Sequence, residues 1–384
     1  MTIPQRLQDF ADDLTAMRRD LHAHPELGFE EVRTAGIVAQ NLRDWGLEVT
    51  TGIAKTGVVG VLRGNRPGRS IGLRADMDAL PIDEQSNLPY ASRTPGVMHA
   101  CGHDAHTTML LGAARYLAEN RDFAGTAIFI FQPAEEGLGG ARTMIAEGLF
   151  ERFPCDEIYG MHNSPYHEAG KIGIRPGPAM AGANFFDIAI TAQGCHAASP
   201  HTGIDSILIA SALVQQLQSI VARNIPATQQ VVLSVTQIHA GAAYNVIPEV
   251  ATLAGTVRYF NRAMAEAVTR RMQDICDGMA RSYGVEISLS IRNVFDVLEN
   301  DPALAQVMVD AARDLVGEAA ITHNDPVMGS EDFADMLAVV PGAYCTIGHA
   351  GSVPLHNPGF VLDDAVLPLG AALYARMVHN RGAV

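Results

Sequence analysis

Hydrophobic and polar positions follow two rhythms along the chain. In the first part, helix-like stretches near residues 5–23 and 30–45 precede short apolar runs at Val58–Leu62 and Ile71–Leu73. Asp104–Glu119 carries Met109, Leu110, Leu111, Ala113, Ala114 and Leu117 with little polar face, the pattern of a helix buried all round. A strand over Thr126–Phe131, a short helix near Ala141–Glu147 and a strand over Glu157–Met161 come next. Strands alternating with helices predict an α/β layer around a largely parallel sheet.

The middle of the chain changes period. Phe186, Ile188, Ile190 and Ala192 alternate with Asp187, Ala189 and Thr191, as in a half-buried strand. Leu213, Leu217, Ile220 and Val221 then share one helix face. Two strands, Val231–Ile238 and Thr252–Phe260, flank a loop with Gly241 and Pro248. A second helical stripe runs through Met264, Val268, Met272, Ile275 and Met279, and Val285, Ile287, Leu289 and Ile291 alternate as a fourth strand. The order β-α-β-β-α-β is the ferredoxin-like pattern.

After Asn293 the first rhythm resumes, with helices over Pro302–Val316, after Gly329 and over Ala365–His379, and a strand near Tyr344–Ile347. The pattern predicts a two-domain α/β protein. One α/β domain (residues 1–183 and 295–384) is interrupted by an inserted βαββαβ domain (residues 184–294). Such insertions are tolerated because the ends of a domain often lie close together at its surface.

The net charge of −15 argues against nucleic-acid binding, which needs basic patches to neutralise phosphates. No apolar run marks a secretory signal or a bilayer span. The five cysteines are scattered and odd in number, which argues against a disulfide framework and fits a reducing, cytoplasmic compartment.

The polar clusters change the picture most. His99-Ala100-Cys101-Gly102-His103-Asp104-Ala105-His106 opens the buried helix, Gln132-Pro133-Ala134-Glu135-Glu136-Gly137 follows the strand Thr126–Phe131, and Met161-His162-Asn163 ends the strand Glu157–Met161. Leu355-His356-Asn357-Pro358 follows the late strand. Ligands of open α/β sheets bind at the carboxyl ends of the strands, so these stretches are expected to converge. Cys101, His103, Glu136, His162 and His356 together offer thiolate, carboxylate and imidazole, a mixture suited to Zn²⁺, Mn²⁺, Co²⁺ or Ni²⁺. Five donors exceed what one catalytic ion with an open position needs and suit two neighbouring ions. Adjacent acids such as Glu135-Glu136 are usually solvated surface charges, but here they end an apolar strand. Glu136 is assigned to metal and Glu135 to proton transfer.

These stretches resemble the M20 family of metallopeptidases and aminoacylases. So do Gly194-Cys195-His196-Ala197-Ala198-Ser199-Pro200-His201, Asn245-Val246-Ile247-Pro248, Gly329-Ser330-Glu331-Asp332-Phe333 and His356-Asn357-Pro358. The likeness is to the branch of hippurate hydrolases, bacterial aminoacylases and plant auxin-conjugate hydrolases. It runs from Asp20-Leu21-His22-Ala23-His24-Pro25-Glu26 to the C-terminal helix. It implies a dinuclear metallohydrolase domain with a βαββαβ lid that pairs subunits into a dimer or tetramer. The implied metal ligands are Cys101, His103, Glu136, His162 and His356, with Glu135 as general base. His196 resembles the lid histidine that reaches a catalytic site, often the partner's, and Asn245 and Arg258 resemble lid residues that hold substrate.

Other branches carry a His-x-Asp metal motif where this chain has Asp76-Met77-Asp78, so the Cys101/His103 pair is expected to take over that role. Asp76 and Asp78 would then orient ligands from behind. The expected activity is amide hydrolysis of a small N-acyl amino acid. A dipeptidase, an N-acetyl-diaminopimelate deacetylase and a catalytically silent metal-bound peptide binder are the alternatives.

Overall fold

The structure is a computed structural model and describes residues 3–383. The chain divides into two compact units. The first comprises Met1–Ala179, Glu299–Asp325 and Asp332–Val384; the second comprises Met180–Leu298 and Pro326–Glu331.

The first unit is built on an eight-stranded sheet. From one edge the strands run Glu48–Ile53, Gly57–Arg63, Ala124–Gln132, Arg66–Asp76, Glu157–Ser164, Gly342–Gly348, Ile172–Ile174 and Ile321–His323. The four central strands, Ala124–Gln132 through Gly342–Gly348, are mutually parallel. Gly57–Arg63 and Glu48–Ile53 extend the sheet antiparallel. The sheet is therefore mixed where periodicity alone pointed to a largely parallel one. Edge strands such as Glu48–Ile53 are short and half-exposed, and leave a weak pattern in the sequence.

Central strands buried on both faces read as continuous apolar runs. Ala124–Gln132 is buried at all but one position. Helix His103–Glu119 packs against this sheet, against Ala11–Ala23 and against Leu367–Arg381, so it lies within the core and needs no polar face. Gly112 lets it approach Leu367–Arg381 closely, since a Cβ there would stand 3.0 Å from the Ala371 Cβ.

Beside this helix lies a buried ion-pair cluster. The Arg18 guanidinium, fully buried, stands 2.8 Å from Asp104 and also reaches Asp364. His22, one turn along the same helix, binds Asp104 through Nδ1 at 2.8 Å and Glu84 through Nε2 at 3.2 Å. Burial opposes ionisation of Asp104, but Arg18 and His22 outweigh it and hold the carboxyl far below its ordinary value of 3.8.

The second unit is a four-stranded antiparallel sheet in the order Val231–Ala240, Val250–Tyr259, Gly182–Thr191, Glu286–Phe295. Helices Ser206–Arg223 and Arg262–Tyr283 cover one face. Phe186, Ile188 and Ile190 face them, with Leu213, Leu217, Val268 and Met272 opposite. Asp205 caps the first helix by accepting from the Ile207 and Leu208 amides, and Asn261 caps the second by accepting from Ala263. The second helix stops at Gly284, whose φ of +67° suits a left-handed cap. Among the described residues no helix is long and apolar enough to cross a membrane.

Arg18→Met should lower stability by about 3–5 kcal/mol, because Asp104 would keep a buried charge without its main counter-ion. Urea denaturation checks this; a loss under about 1 kcal/mol would mean that His22 alone satisfies Asp104. Because the folded-state Asp104 titrates below the unfolded one, its contribution is present at neutral pH and disappears as pH falls below the ordinary carboxylate range.

Candidate metal centre and active site

Parallel strands deliver polar residues to one edge of the first unit's sheet. Arg66–Asp76 ends on Asp76 and leads to Asp78; Ala124–Gln132 leads to Glu135 and Glu136; Glu157–Ser164 carries His162 and Asn163 near its end. The start of helix His103–Glu119 brings Cys101 and His103 to the same edge. Gly102 allows this approach: its φ is +96°, and a Cβ there would stand 2.3 Å from Asn163 Oδ1. His356 arrives on a loop whose amide donates to the Ala100 carbonyl at 2.9 Å.

The five candidate metal ligands come together in this unit. Donor atoms of Cys101, His103 and His162 lie within 4.8 Å of one another, as do those of Cys101, Glu136 and His356 and those of His103, Glu135 and Glu136. The Cys101 Sγ is 3.3 Å from His162 Nε2, and His356 Nε2 is 3.1 Å from Glu136 Oε1. Among the described residues His103 Nε2 is buried and has no hydrogen-bond partner, and Glu136 Oε1 meets only the half-exposed His356. Such an orphaned atom is costly unless something binds it, and the donor types are those of borderline divalent ions. The residues therefore fit a metal centre.

Surrounding groups aim the imidazoles. His103 Nδ1 pairs with Asp78 Oδ1 at 3.1 Å, which leaves Nε2 facing the cluster. His162 Nδ1 donates to the Asn163 carbonyl at 2.7 Å, leaving its Nε2 beside Cys101. Burial and the neighbouring His106 push the His162 pKa well down, which favours the neutral, ligating form. Burial raises the Cys101 thiol pKa, and Glu136 adds to the effect. Asp78 Oδ2 also accepts from the Glu136 amide at 3.0 Å, so one carboxylate orients two ligands.

Asp76 stands 3.7 Å from His103 Nε2 and also anchors a network behind the centre. It pairs with His106 Nδ1 at 2.6 Å and with the buried Arg74 at 2.8 Å. His106 Nε2 faces the Asn163 side chain at 2.8 Å, so both ring nitrogens of His106 are engaged. Arg74 continues to Gln132 and Asp332, at 2.8 and 3.0 Å. Glu135, buried at 6% exposure, accepts from the Asp332 amide at 3.4 Å. His106, Asn163 and Asp332 lie within the sequence motifs, whereas Arg74 lies outside them. Arg74 directly follows the apolar run Ile71–Leu73, where a buried strand tolerates an arginine only when it is paired.

The remaining candidates lie in the second unit. His196 pairs in register with Val246 on a two-stranded ribbon, and the Ala197 amide donates to the Asn245 carbonyl at 3.0 Å. His196 is exposed and borders an open cleft of about 630 Å³ with Gly194, Asn245 and Ile247. Arg258 is not on that ribbon. It sits half-buried on the strand Val250–Tyr259 and donates to the Ser330 hydroxyl, and burial lowers its pKa.

Clustered thiol, imidazole and carboxylate donors at the carboxyl edge of an α/β sheet, with the buried Glu135 beside them, are the chemistry of a metal-dependent hydrolase. The profile described as Peptidase family M20/M25/M40 matches residues 72–380, and the chain belongs to that family. It is 40% identical over 378 residues to the hippurate hydrolase of Campylobacter jejuni subsp. jejuni, with 98% of each chain covered. It is 39% identical to the N-acetylcysteine deacetylase of Bacillus subtilis, with 96% of each covered. Among solved structures, the YXEP protein of Bacillus subtilis, described as a dinuclear metal binding peptidase, superposes with a TM-score of 0.87 at 36% identity, covering 97% of this chain and 98% of that one. The chain is accordingly a metal-dependent amidohydrolase.

Asp78→Asn should weaken metal binding by about 10–100-fold, measured by competition with a chromophoric chelator. The amide can satisfy His103 or the Glu136 N–H through its oxygen, but its NH₂ group then meets a second donor. Unchanged affinity would remove Asp78 from ligand orientation.

Proposed function

We propose that this protein hydrolyses the amide bond of small N-acyl amino acids at the Cys101–His103–Glu136–His162–His356 centre, with Glu135 as the proton carrier. The observation that carries this reading is the placement of Glu135. It is buried, and its carboxylate lies within 4.8 Å of the His103 and Glu136 donors, beside further thiol and imidazole donors of the candidate ligand set. The likeness to a hippurate hydrolase and an N-acetylcysteine deacetylase supports the substrate class.

Two divalent ions of the zinc, manganese, cobalt or nickel type would polarise the amide carbonyl and lower the pKa of a water from ~16 towards ~7. Glu135 takes a proton from the attacking water and later delivers it to the leaving nitrogen as the carbon–nitrogen bond breaks. The products are a carboxylic acid and a free amino acid. His196 supplies a donor to the carbonyl oxygen as charge develops there, worth a few kcal/mol if well placed. Arg258 pairs with the substrate carboxylate in two-pronged fashion, exchanging its Ser330 partner, and Asn245 holds the substrate alongside.

The working form is proposed to be a cytoplasmic homo-oligomer joined through the second unit. Exposed Ile207, Leu208, Ile238, Tyr244, Val246 and Val250 all belong to that unit, and a second copy would cover them.

Glu135→Gln should reduce kcat by at least ~10²-fold while metal content stays constant. Retained turnover would take Glu135 out of its role. Arg258→Ala should raise KM for N-acyl amino acids and leave carboxylate-free amides unaffected; equal effects on both would reject the clamp. The reading as a whole is checked by chelator-sensitive release of amino acid from an N-benzoyl or N-acetyl amino acid. Binding without turnover in the metal-loaded protein would reject hydrolysis.

A further inference from the structure

Glu31 is a buried carboxylate that the chemistry above does not use. It lies far from Glu135 in sequence, is 0% exposed and sits at the start of helix Val32–Asp44. Its Oε1 accepts from the Ala134 amide at 2.9 Å, and its Oε2 accepts from the Thr56 hydroxyl at 2.6 Å. Burial raises its pKa, and the Thr56 hydrogen bond opposes the rise.

Ala134 is the residue immediately before Glu135, and its φ is +56°. That left-handed conformation is unfavourable for a residue with a Cβ and persists only where surroundings enforce it. Both of its backbone groups are held: the amide by Glu31, and the carbonyl by the Gly140 amide at 3.0 Å. Gly28 packs directly beneath, since a Cβ at Gly28 would stand 3.0 Å from the Ala134 Cα. The segment that bears these contacts is itself fixed. Glu26 accepts from the Arg33 and Thr34 amides through its two oxygens, each at 2.8 Å, and its carbonyl accepts from the Ala79 amide at 2.8 Å. Leu27 bridges Ala79 in parallel register.

We propose that Glu31 is a positioning residue: it locks Ala134 in the left-handed conformation and thereby sets the direction in which Glu135 leaves the strand end. This rests on Glu135 being the proton carrier. Proton transfer needs its partners within hydrogen-bond reach, so a small rotation of the Ala134–Glu135 backbone weakens it without removing any ligand of the metal centre.

The test uses the full-length, metal-loaded enzyme with an N-acyl amino acid substrate, and follows kcat, KM, metal content and thermal unfolding together. Glu31→Ala should lower kcat by about 10- to 100-fold at temperatures where the protein is fully folded, with KM and metal content within about twofold of wild type. Glu31→Gln should restore most of kcat, since the amide oxygen can still accept from Ala134 and its NH₂ can reach Thr56. Thr56→Val, which frees one side of the carboxylate, should fall between them and decides the matter if Glu31→Ala does not fold. Unchanged kcat in a folded Glu31→Ala or Thr56→Val protein would overturn the proposal. So would a loss that follows metal content or KM, or a Glu31→Gln protein as impaired as Glu31→Ala. Glu135→Gln separates the two levels. If it retains turnover, the proton-carrier reading fails; if it is inactive while Glu31→Ala is fully active, only the positioning role fails.

Discussion

Charged groups buried without water must be matched by partners inside the protein, and the edge of the first unit's sheet is organised by that requirement. Arg74, Asp76, Asp78 and Glu135 at or just beyond strand ends, His103 and His106 at the start of helix His103–Glu119, and Asp332 before helix Phe333–Leu337 are all buried. An unpaired charge there would cost several kcal/mol. Each carboxylate therefore answers a cation, an imidazole or backbone amides, and the matching leaves few arrangements open. His103 Nε2, buried and without a hydrogen-bond partner among the described residues, faces the candidate metal centre.

The same requirement links the centre to parts of the chain with no chemistry of their own. Arg74 joins the ends of two strands to Asp332, and Tyr374 on the C-terminal helix donates to the Arg74 carbonyl at 2.6 Å. On the other side, Arg18 and His22 hold Asp104, which directly follows His103 on the buried helix. The helix that carries Cys101 and His103 to the edge is thus anchored by charge at its start and by apolar packing along its length. A rigid support of this kind lets five donors from separate stretches keep a common focus.

Much of this architecture was legible in the sequence because its signals are local. The strand ends that precede Glu135-Glu136 and His162 followed from apolar runs broken by polar residues. The helix expected over Pro302–Val316 forms there, and Asp301 caps it by accepting from the Ala303 and Leu304 amides. The four strands and two helices of the second unit each show their own alternation or stripe. The short strands Ile172–Ile174 and Ile321–His323 were not legible, because three residues carry no period. Nor was the break at Phe10 between helices Gln5–Asp9 and Ala11–Ala23, which no proline or glycine marks.

The sequence by itself determined the types of donor available, their position at the ends of elements, and the α/β and βαββαβ patterns. These depend on residue identity and short spacing, which survive without coordinates. Only the tertiary structure decided which nitrogen of His103 and His162 faces the cluster, and that His106 is engaged on both sides by Asp76 and Asn163. It alone revealed that Glu31 grips Ala134. Those facts depend on pairings between residues dozens to hundreds of positions apart. Their geometry arises only when the strands lie side by side, so no local pattern along the chain encodes it.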